Sequence, residues 1–275
     1  MAAQSTLATR WRRARRATAT GVAMTGALLL SGGSVLAQGG AAAWSDTPFS
    51  PAIFENAPRS AEFTLESLKV DALTLGRTHL RVQSDGARIE ARLLEADLAR
   101  GAVTGGATLR RGDAPDPQAI ELIGSMALNG DGVALEQLTK ALRGRAAFSI
   151  TVDGAGPHPR ALMGALSGSG EVRVREGAVT APALTDTGLA APFDQASATF
   201  EIVEGVLRSE DIRVDGPWLS FRGSGTIDLA NRQIDLTLWP GLFGAVAASP
   251  PLRIQGPWEA PVIGLQETPV RPPPP

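Results

Sequence analysis

Cysteine and tyrosine are absent from the 275 residues, histidine occurs only at positions 79 and 158, and lysine only at 69 and 140. Without cysteine there is no disulfide framework, no thiolate nucleophile and no thiolate metal site. Two histidines and no tyrosine remove most of the side chains that act as general acids or bases near neutral pH, which leaves aspartate and glutamate as candidates. The dominance of arginine among the 26 basic residues reads as a coding bias of a G- and C-rich genome, not as a phosphate-binding surface.

What is present is an ordinary globular composition, 43% hydrophobic and 20% charged, enough for one large β domain or two small ones. Residues 1–37 read as an export signal: Arg10, Arg12, Arg13, Arg15 and Arg16 form a basic start, residues 21–30 a short apolar core, and Val35-Leu36-Ala37 a small-residue cleavage site. The apolar core falls short of the roughly 20 residues of a membrane span. Cleavage is expected after Ala37; left uncleaved, the segment would be an N-terminal anchor. Losing its five arginines and no acid takes the net charge from −2 to −7, which disfavours nucleic acid as a partner.

Residues 38–58, rich in Gly, Ala, Ser and Pro, read as a linker, residues 59–266 as one β domain, and residues 267–275 as a disordered Pro-rich tail. Within the domain, apolar and polar residues alternate at the period of a strand. Phe63, Leu65, Leu68 and Val70 open the pattern, Leu80 and Val82 lead to the hairpin signal Asp85-Gly86, and Ile89, Ala91 and Leu93 return. Residues 93–98 break the alternation, and residues 113–118, with Pro115 and Pro117, read as a loop. From Leu166 onward the chain repeats short alternating strands at residues 173–177, 200–205, 220–229 and 233–238, joined by acidic-Gly or Gly-x-Gly segments that read as turns.

One helix is expected where Leu135, Leu138 and Leu142 share a side, with Asp131 as cap, Glu136 and Lys140 as a pair and Gly144 as terminator. A second, shorter one is expected at Leu162 and Leu166 after Pro159. The expected fold is therefore mainly β: a curved antiparallel sheet or groove with two or three short capping helices. Residues 212–218 (I-R-V-D-G-P-W) recur as 252–258 (L-R-I-Q-G-P-W), and 150–154 repeat the first half, each read as a strand ending in a tight turn; Trp218 and Trp258 are amphipathic rings suited to a lipid boundary or to packing over a turn.

A single sheet must bury its apolar face against helices, a second sheet or a ligand. Phe200, Ile202, Ile212, Val214, Phe221, Ile227, Leu229, Ile234, Leu236 and Leu238 are the candidate lining of an apolar groove for lipid; the same residues would also suit the core of a closed sandwich. Each buried methylene is worth about 0.8 kcal/mol, so an acyl chain of ~16 carbons gains on the order of 10 kcal/mol before ordering costs.

Trp44-Ser45-Asp46-Thr47-Pro48, residues 166–172 (L-S-G-S-G-E-V), 204–207 (E-G-V-L), 223–229 (G-S-G-T-I-D-L) and Ile254-Gln255-Gly256 with Pro261, taken in order, resemble the C-terminal region of AsmA-like proteins over about 220 residues. The resemblance implies a non-enzymatic protein of the Gram-negative envelope, periplasmic or held at the inner membrane. It implies binding or transfer of phospholipid or another acyl-chain lipid, or assistance to outer-membrane assembly. The chain departs from larger relatives in leading almost directly into this module and in its short stretch at 181–193. A dozen strands at ~4.8 Å spacing make a trough of a few tens of ångströms, the size of a component or shuttle.

Two rivals remain. Asp211, Asp215, Asp228 and Asp235 are the carboxylates an enzyme or metal site would draw on, but Asp228 and Asp235 alternate with apolar residues as solvent-facing positions do. Ser167 and Ser169 lack a nucleophile elbow, Gly168-x-Gly170 lacks the Lys of a phosphate loop, and His158 between prolines reads as a loop residue. No catalytic residue, metal or cofactor is expected. The other rival is a periplasmic scaffold whose free strand edge pairs with an envelope protein without bound lipid.

Overall fold

In a computed structural model the described residues are 44–70, 73–113, 119–138, 142–179, 191–217, 219–242, 245–246, 250–258 and 260–265. The expected signal segment, Lys140, Trp218 and the Pro-rich tail lie outside them. Alternation is what the chain offers, and strands are what it forms. They are β1 (Ser60–Leu65), β2 (Leu68–Val70), β3 (Leu73–Ser84), β4 (Arg88–Leu98), β5 (Gly101–Gly112), β6 (Glu121–Ala134), β7 (Leu142–Gly156), β8 (Ser167–Val179), β9 (Ala191–Val203), β10 (Val206–Asp215), β11 (Leu219–Asp228), β12 (Gln233–Leu242), β13 (Ala245–Val246), β14 (Leu252–Pro257) and β15 (Val262–Leu265). Among the described residues the α-helices are α1 (Ala52–Glu55) and α2 (Pro159–Gly164).

All these strands belong to one antiparallel sheet in the order β1-β3-β4-β5-β6-β7-β8-β9-β10-β11-β12-β14-β15, with β2 pairing β3 and β13 pairing β12. The sheet is curved and does not close on itself. The closed sandwich is therefore not the arrangement adopted, since there is no second layer among the described strands. Turns of two to four residues join β3 to β4, β4 to β5, β9 to β10 and β11 to β12, and most strands neighbour the one before them in sequence.

Two hairpins show how the turns are made. Val203 pairs with Val206 across Glu204 and Gly205, whose φ values of 48° and 72° are those of a two-residue turn matched to the strand twist. At Asp85-Gly86 the Asp85 carboxylate accepts hydrogen bonds from the Ala87 and Arg88 N–H groups, at 2.9 and 2.8 Å. Those contacts hold its carboxyl below the usual aspartate range.

Three expectations need correcting. The Gly-x-Gly runs are not turns: Gly168 and Gly170 lie inside β8, and Gly223 and Gly225 inside β11. A Cβ at Gly170 would strike the Phe200 ring on the adjacent strand, and one at Gly223 or Gly225 would strike Leu238 or Leu236. Glycine here leaves room for a large neighbour to lie across the backbone, a requirement of packing that resembles turn chemistry in sequence. Asp153-Gly154 likewise continues β7 and ends nothing.

The expected helix around Leu135 is only a single tight turn, Leu135–Gln137. Val133 and Ala134, at 1% and 0% exposure, are drawn into the end of β6, and Leu142 already opens β7, so tertiary pairing overrides the leucine spacing. The second expected helix does form as α2, with His158 Nδ1 accepting from the Ala161 N–H at 3.2 Å and Pro159 in the first turn, but it ends before Leu166.

The third correction concerns the linker. Residues 44–58 form a strap along one rim of the sheet. Phe49 bridges to Ile120, its N–H donating to the Pro157 carbonyl at 2.8 Å, and Phe49 and Phe54 are 3% and 2% exposed. Two phenylalanines bury enough apolar surface to order a segment whose composition otherwise suggests a flexible connector. They pack with Val82, Ile89, Leu109, Ile120, Leu122 and Leu162 into the main buried cluster.

Candidate functional site: an apolar inner face

Paired residues in a sheet point to the same side, so the register assigns every side chain to a face. Starting from Val82, the pairings run Val82–Ala91–Ala107–Met126–Val152–Gly168–Ile202–Leu207–Ile227–Ile234–Gly256 across the sheet. A parallel row holds Gly130, Phe148, Val172 and Ala198, and further on Ile212, Gly223, Leu238 and Leu252 share one row. We call this side the inner face, because the strap and α2 fold onto it: Leu162 of α2 joins the Val82 and Ile89 cluster, and a Cβ at Gly156 would meet the Leu162 backbone.

The opposite, outer face is mainly polar, with Trp239 beside Arg222 and the exposed pair Val203 and Val206 as apolar exceptions. Glu90, Thr108, Ser125 and Asp153 form one of its rows, and Arg222, Ser224, Thr226 and Asp228 alternate along β11. Where the alternation breaks at 93–98, β4 carries a bulge between Leu93 and Ala96. The extra residue returns Ala96 and Leu98 to the inner face, where they are 0% and 8% exposed.

Of the ten candidate lining residues, the register puts Phe200, Ile202, Ile212, Val214, Phe221, Ile227, Ile234, Leu236 and Leu238 on the inner face. Leu229 stands apart, in the turn after β11. Its carbonyl accepts from the Trp44 indole N–H at 2.6 Å and its N–H donates to the Gly205 carbonyl at 2.9 Å, so it anchors the strap. Trp44 also meets Trp258 edge to face at 6.4 Å, and the Arg232 guanidinium lies 5.3 and 5.0 Å from the two rings. Trp258 thus packs over a turn, the plainer of its two expected roles.

Cover over the inner face is uneven. Over β3 to β6 the strap leaves Val82, Ile89, Leu109 and Leu122 between 2% and 4% exposed. From β9 to β14 the same kinds of residue, Phe200, Ile212, Val214, Phe221, Ile234, Leu236, Leu238 and Ile254, are only half-buried. Ile202 is buried, beside the rim where the Met163 and Gly164 backbone approaches Gly205. The inner face thus presents an apolar floor several strands wide with no covering element among the described residues.

The carboxylates considered for catalysis are engaged elsewhere. Asp235 takes two hydrogen bonds from Arg253, at 3.0 and 2.8 Å, which lower its pKa from the ordinary value. Asp211 accepts from the Thr199 N–H and hydroxyl, both at 2.8 Å. Asp228 caps the turn at Asn231, and Asp215 accepts from Gln195. His158 caps α2 and stands 3.7 Å from Asp46, which also pairs with Arg160 at 3.1 Å. No group of three or more His, Asp or Glu is spaced to hold a metal among the described residues.

The ten candidate lining residues begin at Phe200. Phe148, Ile150, Val172 and Val174 extend the same face, as do Leu252, Ile254 and Ile263 at its far end. Their alternation was as regular as that of the residues chosen. Comparison with protein-family models, with curated proteins and with solved structures finds no match for this chain.

Proposed function

We propose that this chain is a non-enzymatic envelope protein of AsmA type that binds, and hands on, phospholipid or another acyl-chain lipid along the uncovered part of its inner face. The observation that carries the reading is the single-sided row of half-buried Phe, Ile, Val and Leu from β9 to β14, opposite a polar outer face. An apolar face of that extent in water is costly, and acyl chains offset the cost at about 0.8 kcal/mol per methylene. Mid-strand glycines at 170, 223 and 225 let Phe200, Leu238 and Leu236 lie across the backbone, which suits a smooth floor for a chain that slides and does not lock. The five uncovered strands β9, β10, β11, β12 and β14 at ~4.8 Å spacing give a floor of about 20 Å, the scale of a shuttle or one component of a longer path.

Native mass spectrometry of the chain exported to a periplasm tests the proposal. The expected result is a protein carrying one or a few phospholipids. Lipid-free, monodisperse protein that extracts no lipid from vesicles would overturn it. A second reading, a scaffold that works by protein contacts, is favoured by β15, the last strand of the sheet among the described residues, where Val262 and Leu265 are 63% and 65% exposed. A defined protein partner, recovered without lipid, would put that reading first.

A further inference from the structure

The outer face carries a second feature, independent of the lipid reading. Across four neighbouring strands the register sets Thr151, Ser169, Glu201 and Arg208 in one row, and Ser149, Glu171 and Thr199 in the next. Together with Gly170, the backbone of Phe200 and Glu210, they line an open depression of about 710 Å³. Its floor consists of short side chains in the middle of a face that elsewhere bears long ones such as Arg145, Arg173, Arg175 and Arg222. The wall on one side is shaped by a bulge in β10 between Ser209 and Ile212. There the ladder to β9 is interrupted, and Asp211 satisfies the Thr199 N–H in its place. Bulges of this kind re-aim side chains, here Glu210 and Arg208, toward one spot.

The hydrogen-bonding capacity of this depression is largely unspent. Glu201 and Arg208 face each other directly across the strands, the arrangement in which opposite charges ordinarily pair. Yet among the described residues Glu201, Arg208 and Glu210 make no ion pair, and the Ser149, Thr151 and Ser169 hydroxyls make no hydrogen bond. Two lining groups are engaged: Glu171 by Arg173 at 2.8 Å, and the Thr199 hydroxyl, which donates to Asp211 at 2.8 Å. The chemistry of the lining selects its ligand by exclusion. Glu201 and Glu210 oppose a simple anion, Arg208 opposes a bare cation, and no apolar side chain forms the floor. A ligand bearing many groups that both donate and accept satisfies all of them: hydroxyl floor, carboxylates and planar guanidinium are the partners of vicinal diols.

We propose that this depression is a saccharide-binding site, taking a segment of a hydroxyl-rich glycan while the inner face remains free. The volume lies within the range of small-molecule sites, and the floor is preformed on the middle strands of the sheet.

The test is titration of the full chain, followed by amide NMR, with chitotetraose and with cellotetraose; spermine and glycine betaine serve as controls for a cationic or zwitterionic ligand. Saturable shifts confined to residues 149–151, 169–171, 199–201 and 208–210 with at least one oligosaccharide are expected. Arg208→Ala and Glu201→Gln are each expected to weaken that binding tenfold or more, with unchanged thermal melting and unchanged lipid content. Both residues are exposed, so the fold does not depend on them. Absence of saturable shifts with both oligosaccharides, equal binding by the variants, or a response to spermine or betaine alone would overturn the proposal.

Discussion

The first and second halves of the sheet are written in the same pattern and end in different states. At the strap end of β3 to β6, Val82, Ile89, Leu109 and Leu122 are sealed beneath the strap and α2, while Leu93, Met126 and Leu128 farther along those strands are half-buried, as are the equivalent residues of β9 to β14. The strands themselves do not explain the contrast, since both halves alternate and both place glycines beside large neighbours, Gly105 next to Leu128 as Gly225 next to Leu236. The cause is a segment outside the sheet. Phe49 and Phe54 reach one half and not the other, so the residues beneath them form a core and the second half is left half-buried among the described residues.

The comparison breaks most visibly by emptying the covered half. Phe54→Ala removes a ring that is 2% exposed and is expected to cost about 3–5 kcal/mol in chemical denaturation. In the uncovered half, Leu236→Asp is expected to leave a cooperative fold within about 2 kcal/mol of the parent, because the carboxylate stays in reach of water, and under the lipid-binding proposal it is expected to abolish lipid recovery. Global unfolding by Leu236→Asp would mean that this half is a closed core after all.

Trp44→Ala cuts the strap's far anchor, its hydrogen bond to Leu229 and its contacts with Trp258 and Arg232. A loss of about 1–2 kcal/mol is expected, together with faster amide exchange along residues 44–58. The turns sharpen the contrast in the other direction. Ala99 and Arg100 join β4 to β5 at φ values of 49° and 67°, with no glycine, where Glu204-Gly205 serves the second half. Ala99→Gly relieves a left-handed conformation and is expected to raise stability by about 0.5–1 kcal/mol, read from the denaturation midpoint.

The smallest effect is one of pH. Hydrogen bonds from Arg253 hold the Asp235 carboxyl below its ordinary value of 3.8 in the folded protein. Its contribution is therefore present above that value and is lost as pH falls through the lower, folded one. Asp235→Asn is expected to flatten the decline of stability below about pH 4 by well under 1 kcal/mol, since the pair is solvent-screened.

Much of the site was legible in the chain because strand period translates directly into facing. Nine of ten candidates share a side for no other reason than being two residues apart on strands in register. Leu229 failed that logic by standing one residue past its strand, where a turn took it. The glycines mislead because a missing Cβ serves a tight turn and a close packing contact equally well, and the neighbour that decides between them is eleven to thirty residues away. The leucines at 135, 138 and 142 had helical spacing, but the burial of Val133 and Ala134 fixed the segment as strand ends. The outer depression carried no local signal, since its lining comes from four strands and its shape from a bulge.

By itself the sequence determined that this protein is a sheet with one apolar and one polar side, because alternation is a local property enforced by backbone geometry at every residue. The tertiary structure alone decided which stretch of that apolar side is covered. Cover depends on where the strap's two phenylalanines come to rest, and that is settled by contacts between segments far apart in the chain.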